Sequence, residues 1–364
     1  MRQLTLKVVD LSRVLAGPIC SMMLGDLGAD VIKVERPERG DETRGWGPPF
    51  DADGQSAYFL SINRNKKSLA ADLAKPVDRA MVLDLIRSAD VVLDNFLPGS
   101  LERLGVSRDA ELQKNPRLIW CTISGFGAGT ARPGYDFVVQ AECGWMAITG
   151  EVDGPPTKIG VALADVIAGK DAAIAILAAV AARAHGSPSV DERRIDIALA
   201  DSARASLVNV AQNVLVSGKD ARRWGNAHPN LVPYQLFDAE DRALVIAVGS
   251  DSQWRACARA LALIELSEDD ALRTNAGRVE NRERLISTVA KRVGERTAQY
   301  WIDRLGVAGV PCGLVLTVSE AIEKTAADAR TGMPPSVPGT VRFPPPRLDE
   351  HGDSIRSLGW RAFG

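Results

Sequence analysis

Between residues 6 and 127 the chain alternates short β-branched, apolar runs with amphipathic stretches of helical period, and no other feature constrains the fold as strongly. Residues 7–11, 30–35, 90–95 and 117–124 read as strands, with helices at 19–27 and 77–88 between them. Strands joined by crossover helices make a mostly parallel sheet with helices on both faces, and ligands bind in the loops after the strand carboxyl ends. A polar segment, GSPSVDERR at 186–194, precedes one more strand at 195–200 and a helix at 201–216. The turn-rich stretch KDARRWGNAHPN follows Gly218, and a strand at 244–248 with helices at 254–263 and 279–293 opens a second, smaller α/β domain. Residues 332–346 hold six of the chain's 20 prolines, so they are expected to run extended over a surface.

A length of 364 residues suits about two domains with full-sized cores. The 44 Lys and Arg against 46 Asp and Glu leave a net charge of −2, so no global field favours nucleic acid or anionic lipid. An anionic ligand must be held by a local cluster. Five scattered cysteines (Cys20, Cys121, Cys143, Cys257 and Cys312) without CxxC spacing suggest neither a disulfide framework nor a zinc site, and no metal is expected. The first ten residues lack the basic start and apolar stretch of a signal peptide, so a cytoplasmic protein is expected. The longest apolar run, 172–182, is eleven residues where a membrane span needs about 20, and it reads as a buried Ala-rich helix.

GFGAGT at 125–130 follows a strand but carries Thr130 at its sixth position and leads into no helix, which argues against a dinucleotide loop. The histidines, His185, His228 and His351, lie in turn-rich segments, and no Gly-x-Ser-x-Gly or P-loop pattern occurs. Cations near strand ends (Arg36, Lys66, Lys67 and Arg103) read either as solvated surface or as a phosphate-binding rim. Asp165, a single carboxylate in the apolar VALADVIAG, reads first as a helix N-cap, and the same placement would serve a nucleophile beside a dry pocket. Asp136, Glu142 and Asp153 are read as polar structure.

Several stretches together resemble the class III coenzyme A transferases, the family of formyl-CoA transferase, carnitine CoA-transferase and succinyl-CoA:glutarate CoA-transferase. They are DLSRVLAGPICSMMLGDLGADVIKVERPERGDETR, NRNKKSLAADL, DNFLPGSLERLG, RPGYDFVVQA, DGPPTKIGVALADVIAG, GNAHPNLVPYQLF, AVGSDSQW and AGVPCG, and they run through nearly the whole chain. The resemblance implies an α/β subunit shaped as an open ring, with a Rossmann-like large domain and a smaller domain, threaded through its copy in an interlocked homodimer. The large domain would comprise residues 1–216 and a return at 325–364, with the small domain and its linkers at 217–324.

Carried over by the same resemblance, Asp165 is the nucleophile. The CoA contacts fall on Val14, Leu15, Ala16, Arg36, Asn95, Phe96 and Arg103, with Lys66 and Lys67 near the nucleotide. Tyr135 would line the acyl pocket, and Gly249, Ser250, Asp251, Ser252 and Gln253 would form a lid. The implied reaction moves CoA, held as substrate and not as a resident cofactor, from an acyl-CoA to a free carboxylic acid, with succinyl-CoA a candidate donor. Leu15 stands where oxalate-using members have glutamine, so oxalate is not expected. The alternatives are a 2-methylacyl-CoA racemase, weakened because Tyr135 replaces the histidine such enzymes use, and an acyl-CoA-binding protein without turnover.

Overall fold

The computed structural model describes residues 4–186 and 188–364. The chain divides into two compact units, one comprising the residues up to Trp145 together with Lys158–Lys219 and Thr325–Gly364, the other Met146–Thr157 and Asp220–Lys324.

Six parallel strands form the sheet of the first unit: β1 (Lys7–Asp10), β2 (Asp30–Glu35), β3 (Lys66–Ala70), β4 (Val91–Asp94), β5 (Ile119–Ser124) and β6 (Arg194–Ala198). Their order is β3-β2-β1-β4-β5-β6, so the winding direction reverses between β1 and β4. Side chains alternate across the sheet. Val8, Val31, Val91 and Leu93 face the helices Ala16–Asp26 and Leu163–Ala182, while Val9, Ile32, Val92 and Trp120 face the helix Pro76–Arg87 and the C-terminal Ile355 and Trp360. Covered on both faces, β1, β4 and β5 are largely apolar on both sides, which is why they were legible as short continuous runs.

The Leu163–Ala182 helix is longer than the apolar run that announced it, and it is buried on one face only. Ala164, Ala168, Ala172 and Ile176 form the buried stripe, while Ile174 is exposed. No helix among the described residues is long and apolar enough to cross a membrane. Against this stripe lies the Ala16–Asp26 helix. A Cβ on Gly169 would stand 2.2 Å from Ile19 Cγ2 and 2.5 Å from the Ala16 carbonyl oxygen, so glycine permits this close approach. It brings the starts of two helices together.

Strand β3 departs from the sequence reading, which placed no strand there and left Lys66 and Lys67 as either solvated surface or a phosphate-binding rim. Lysines at a strand start mimic an exposed turn, yet β3 pairs with β2 from Lys66 opposite Val31 onward. The proline-rich tail at 333–346 forms neither helix nor strand and is tied to the start of β3: the Asn65 N–H donates to the Phe343 carbonyl, and Asn65 Oδ1 accepts from the Arg342 N–H.

In the second unit β7 (Tyr234–Asp238), β8 (Ala243–Ala247) and β9 (Cys312–Leu314) form an antiparallel sheet. Trp254, Leu285, Val289 and Trp301 pack against it. Met146–Thr157, expected in the first domain, belongs here, because Arg223 donates to the carbonyls of Glu151 (3.0 Å) and Gly154 (2.7 Å).

Candidate active site

The site is built on a buried charge cluster under the sheet's reversal point. Asp10, at the end of β1, accepts from both the N–H and the hydroxyl of Ser12, from the Ser21 hydroxyl (2.5 Å) and from Lys66 Nζ (3.2 Å). Burial alone would raise its pKa, but Lys66 and Lys33 with the two hydroxyls outweigh that and hold it at about 2. Lys33 Nζ in turn pairs with Asp41 at 2.9 Å and donates to the Ser12 carbonyl at 2.8 Å.

This cluster fixes the loop after β1. The Arg13 N–H donates to Asn95 Oδ1 (3.0 Å) and Asn95 Nδ2 donates back to the Arg13 carbonyl (2.7 Å). Val14, whose N–H faces Asp41 Oδ1 at 3.3 Å, is held at φ +70°. A β-branched residue rarely adopts that conformation, and such strain persists only where the surroundings over-determine it. Leu15 then precedes the Ala16–Asp26 helix with no side-chain cap, so the Ala16 and Gly17 N–H groups have no intrahelical acceptor.

Around this loop lies a cavity of about 260 Å³ whose lining includes Val14, Leu15, Ala16, Asn95, Phe96, Tyr135 and Asp165. Seven residues singled out from the sequence, spread over some 150 positions, thus meet in one place. Leu15 and Ala16 are themselves buried, and Tyr135 is 61% exposed.

Asp165 sits in the first turn of its helix but is not the cap. Ala162 occupies the cap position without a side-chain bond, and the acceptor comes from elsewhere: Asp136 Oδ1 takes the N–H of Ala164 at 2.8 Å and that of Asp165 at 3.4 Å. Asp136 is itself steadied by Gln140 Nε2 at 2.6 Å. With the capping task taken by Asp136, no described side chain or amide donates to the Asp165 carboxylate. Burial, and then the neighbouring Asp136 charge, push its pKa up to about 7. Tyr58, unforeseen in the sequence, shares this field: burial first, then Asp165 and Asp136, push its hydroxyl up to about 12.

A second cavity, of about 470 Å³, is lined by Arg36, Lys75, Leu73 and Leu104 and shares Arg13 and Phe96 with the first. The Arg13 guanidinium lies 5.3 Å from the Phe96 ring centroid, so the pair forms a common wall between the two cavities. Lys75 and Arg13 were not among the residues picked from sequence. Arg13 stands three positions past β1, where a strand-end search should find it, whereas Lys75 follows the unrecognised β3.

Other residues singled out from the sequence fall elsewhere. Lys66 is wholly buried, spent on Asp10, the Pro18 carbonyl (2.8 Å) and Asn63 Oδ1 (2.8 Å), and burial brings its pKa down to about 8. Lys67 Nζ donates to the Ala362 carbonyl and sits 4.7 Å from the Phe363 ring centroid. Both lysines support the fold and stand away from either cavity's lining. Arg103 is exposed and donates to Ser100 Oγ at 2.8 Å, outside both linings. In the second unit Ser250 caps the helix Asp251–Ala260 and Gln253 Oε1 accepts the Gly249 N–H at 2.9 Å, so residues 249–253, the expected lid, form a tied helix start.

A bare, poorly solvated carboxylate in a cavity that Ala16, with its unspent helix N–H, also lines can attack an acyl carbon whose developing oxyanion needs donors. The neighbouring Arg13, Arg36 and Lys75 suit an anionic carrier of that acyl group. Fold and site together define an α/β protein of acyl-group chemistry. The model for CoA-transferase family III matches residues 5–351, and the chain belongs to that family. It is 40% identical to the succinate–glutarate CoA-transferase of Agrobacterium fabrum over 333 residues, 89% of this chain and 82% of that protein. It is 38% identical to the succinyl-CoA:glutarate CoA-transferase of Mus musculus, over 95% of this chain and 83% of the mouse protein. Among solved structures, a CAIB/BAIF family protein from Brucella suis superposes with a TM-score of 0.84 at 40% identity, covering 97% of both chains.

Proposed function

We propose that this CoA-transferase moves CoA from succinyl-CoA, or a similar short acyl-CoA, to a free carboxylic acid through covalent intermediates on Asp165. The observation that carries the reading is the Asp165 carboxylate, which accepts no hydrogen bond from the described residues and lies in a cavity adjoining one whose lining includes Arg36 and Lys75. CoA would lay its phosphates by Arg36 and Lys75, pass the Arg13–Phe96 wall, and bring its thioester to Asp165.

The carboxylate attacks the thioester carbonyl, the C–S bond breaks, and an aspartyl anhydride and CoA thiolate result. The thiolate then attacks the aspartyl carbonyl, releasing the donor acid and leaving CoA as a thioester on Asp165. The acceptor carboxylate attacks this thioester, and the displaced thiolate takes the acceptor acyl group from the second anhydride, restoring Asp165. Each nucleophile reacts as an anion, so the protein supplies donors and excludes water without a general base. The N–H groups of Ala16 and Gly17 are suited to the oxyanions.

None of the three histidines lines the Asp165 cavity, which disfavours racemisation by a histidine–aspartate pair. An interlocked homodimer with a Rossmann-like large domain is part of the same reading. The helix Val208–Ser217 supports it, since it has no buried residue and exposes Val208, Leu215 and Val216. Mass-resolved product analysis with succinyl-CoA and a panel of mono- and dicarboxylates tests the function. New acyl-CoA with wild type and none with Asp165→Asn is expected; turnover by the variant overturns the assignment.

A further inference from the structure

The Asp165 cavity carries four ionisable side chains of acid or arginine type: Asp165, Glu42, Arg13 and Arg132. Arg13 belongs equally to the neighbouring cavity and is ion-paired with Glu42. Arg132 is the one cation among the described lining residues that belongs to the Asp165 cavity alone.

Its placement is built. Arg132 rides the loop between β5 and the helix Asp136–Glu142, and the ends of that loop are clamped glycine against glycine. A Cβ on Gly125 would lie 2.5 Å from Gly134 Cα, and one on Gly134 would lie 2.7 Å from Gly125 Cα. Within the loop the Arg132 N–H donates to Thr130 Oγ1 at 3.1 Å. The guanidinium lies 4.2 Å from the Phe126 ring centroid. Both of its terminal nitrogens donate to the Glu142 carboxylate, Nη1 at 2.8 Å to Oε2 and Nη2 to Oε1. That end-on pairing uses two of five N–H donors and leaves the edge through Nε open to a second carboxylate. An arginine laid over a ring loses little freedom on binding, which favours planar recognition of a carboxylate.

We infer that Arg132 receives the distal carboxylate of a dicarboxylic substrate while the other carboxyl group reacts at Asp165. The inference rests on the CoA-transfer reading and narrows its substrate class to dicarboxylates. The test fixes succinyl-CoA as donor and compares kcat/KM for glutarate with that for pentanoate, an acid of equal carbon count lacking the second carboxylate. Because one donor serves both, any effect on donor binding cancels in the ratio.

Arg132→Gln is expected to lower the glutarate-to-pentanoate ratio by roughly tenfold or more, as fits loss of a charge-assisted contact. Glu142→Gln breaks the ion pair while keeping the arginine, and should leave the ratio within about twofold of wild type, a small effect on the scale of an exposed ion pair. An unchanged ratio in Arg132→Gln overturns the inference. So does a fall of the same size in Glu142→Gln, which would make the pair a structural clamp. If wild type transfers CoA to neither acid, nor to any other in the panel, the transferase reading itself fails and takes this one with it.

Discussion

Replacing Asp165 by asparagine should stabilise the protein, by an amount that depends on pH. A carboxyl moved from 3.8 to about 7 by burial and by Asp136 is ionised in the native state at a cost. At about 1.4 kcal/mol for each tenfold change in acidity, that cost has a ceiling of roughly 4 kcal/mol. Water in the open cavity screens the charge, so about 2 kcal/mol is the expected figure. The sign follows from proton counting. Between pH 3.8 and about 7 the native protein keeps a proton on Asp165 that the unfolded chain has lost, so wild-type stability falls as pH rises through this window and levels off above it. Asparagine carries no charge in either state. At pH 8 the variant should therefore melt about 4–8 °C above wild type, taking 2–4 °C per kcal/mol for a domain of this size. At pH 4 the two melting curves should nearly coincide. Thermal unfolding followed by circular dichroism at both pH values measures this. A variant no more stable than wild type at pH 8, or one whose advantage is the same at pH 4, refutes the claim that Asp165 is a destabilised carboxylate.

The same carboxylate should shape catalysis: kcat/KM for acyl-CoA is expected to show an acid limb near pH 7, falling about tenfold per pH unit below it, and an acid limb near 4 would contradict the raised pKa. Gly169→Ala forces a methyl group to within 2.2 Å of Ile19 and 2.5 Å of the Ala16 carbonyl. It should cost about 1–3 kcal/mol in denaturant unfolding and lower kcat by separating Asp165 from the Ala16 helix start; a variant of native stability and activity would show that this contact does not set the site.

The first unit's sheet was legible because its central strands β1, β4 and β5 are largely apolar on both faces, a pattern that needs no knowledge of partners. Strand β3 escaped because Lys66 and Lys67 look like surface residues. Only the three-dimensional position of Asp10, 56 residues upstream, reveals that Lys66 is neutralised inside. The Asp165 cavity was largely foreseen, through family resemblance and not through periodicity. What the residues alone suggested for Asp165, a helix cap, is overturned because the capping acceptor is Asp136, 29 positions away. No local pattern announces such a swap. Arg13 and Lys75 show the same limit: a cation's role depends on which strand ends lie beside it, and one of those strands had not been recognised.

Covalent chemistry on Asp165 is the central claim, and peptide mapping by mass spectrometry after rapid mixing with succinyl-CoA tests it most directly. The expected result is CoA attached as a thioester to the peptide containing Asp165, cleared on adding an acceptor acid and absent from Asp165→Asn. CoA transfer at full rate with no adduct on that peptide under any quench condition, or an adduct on another residue, would contradict the account.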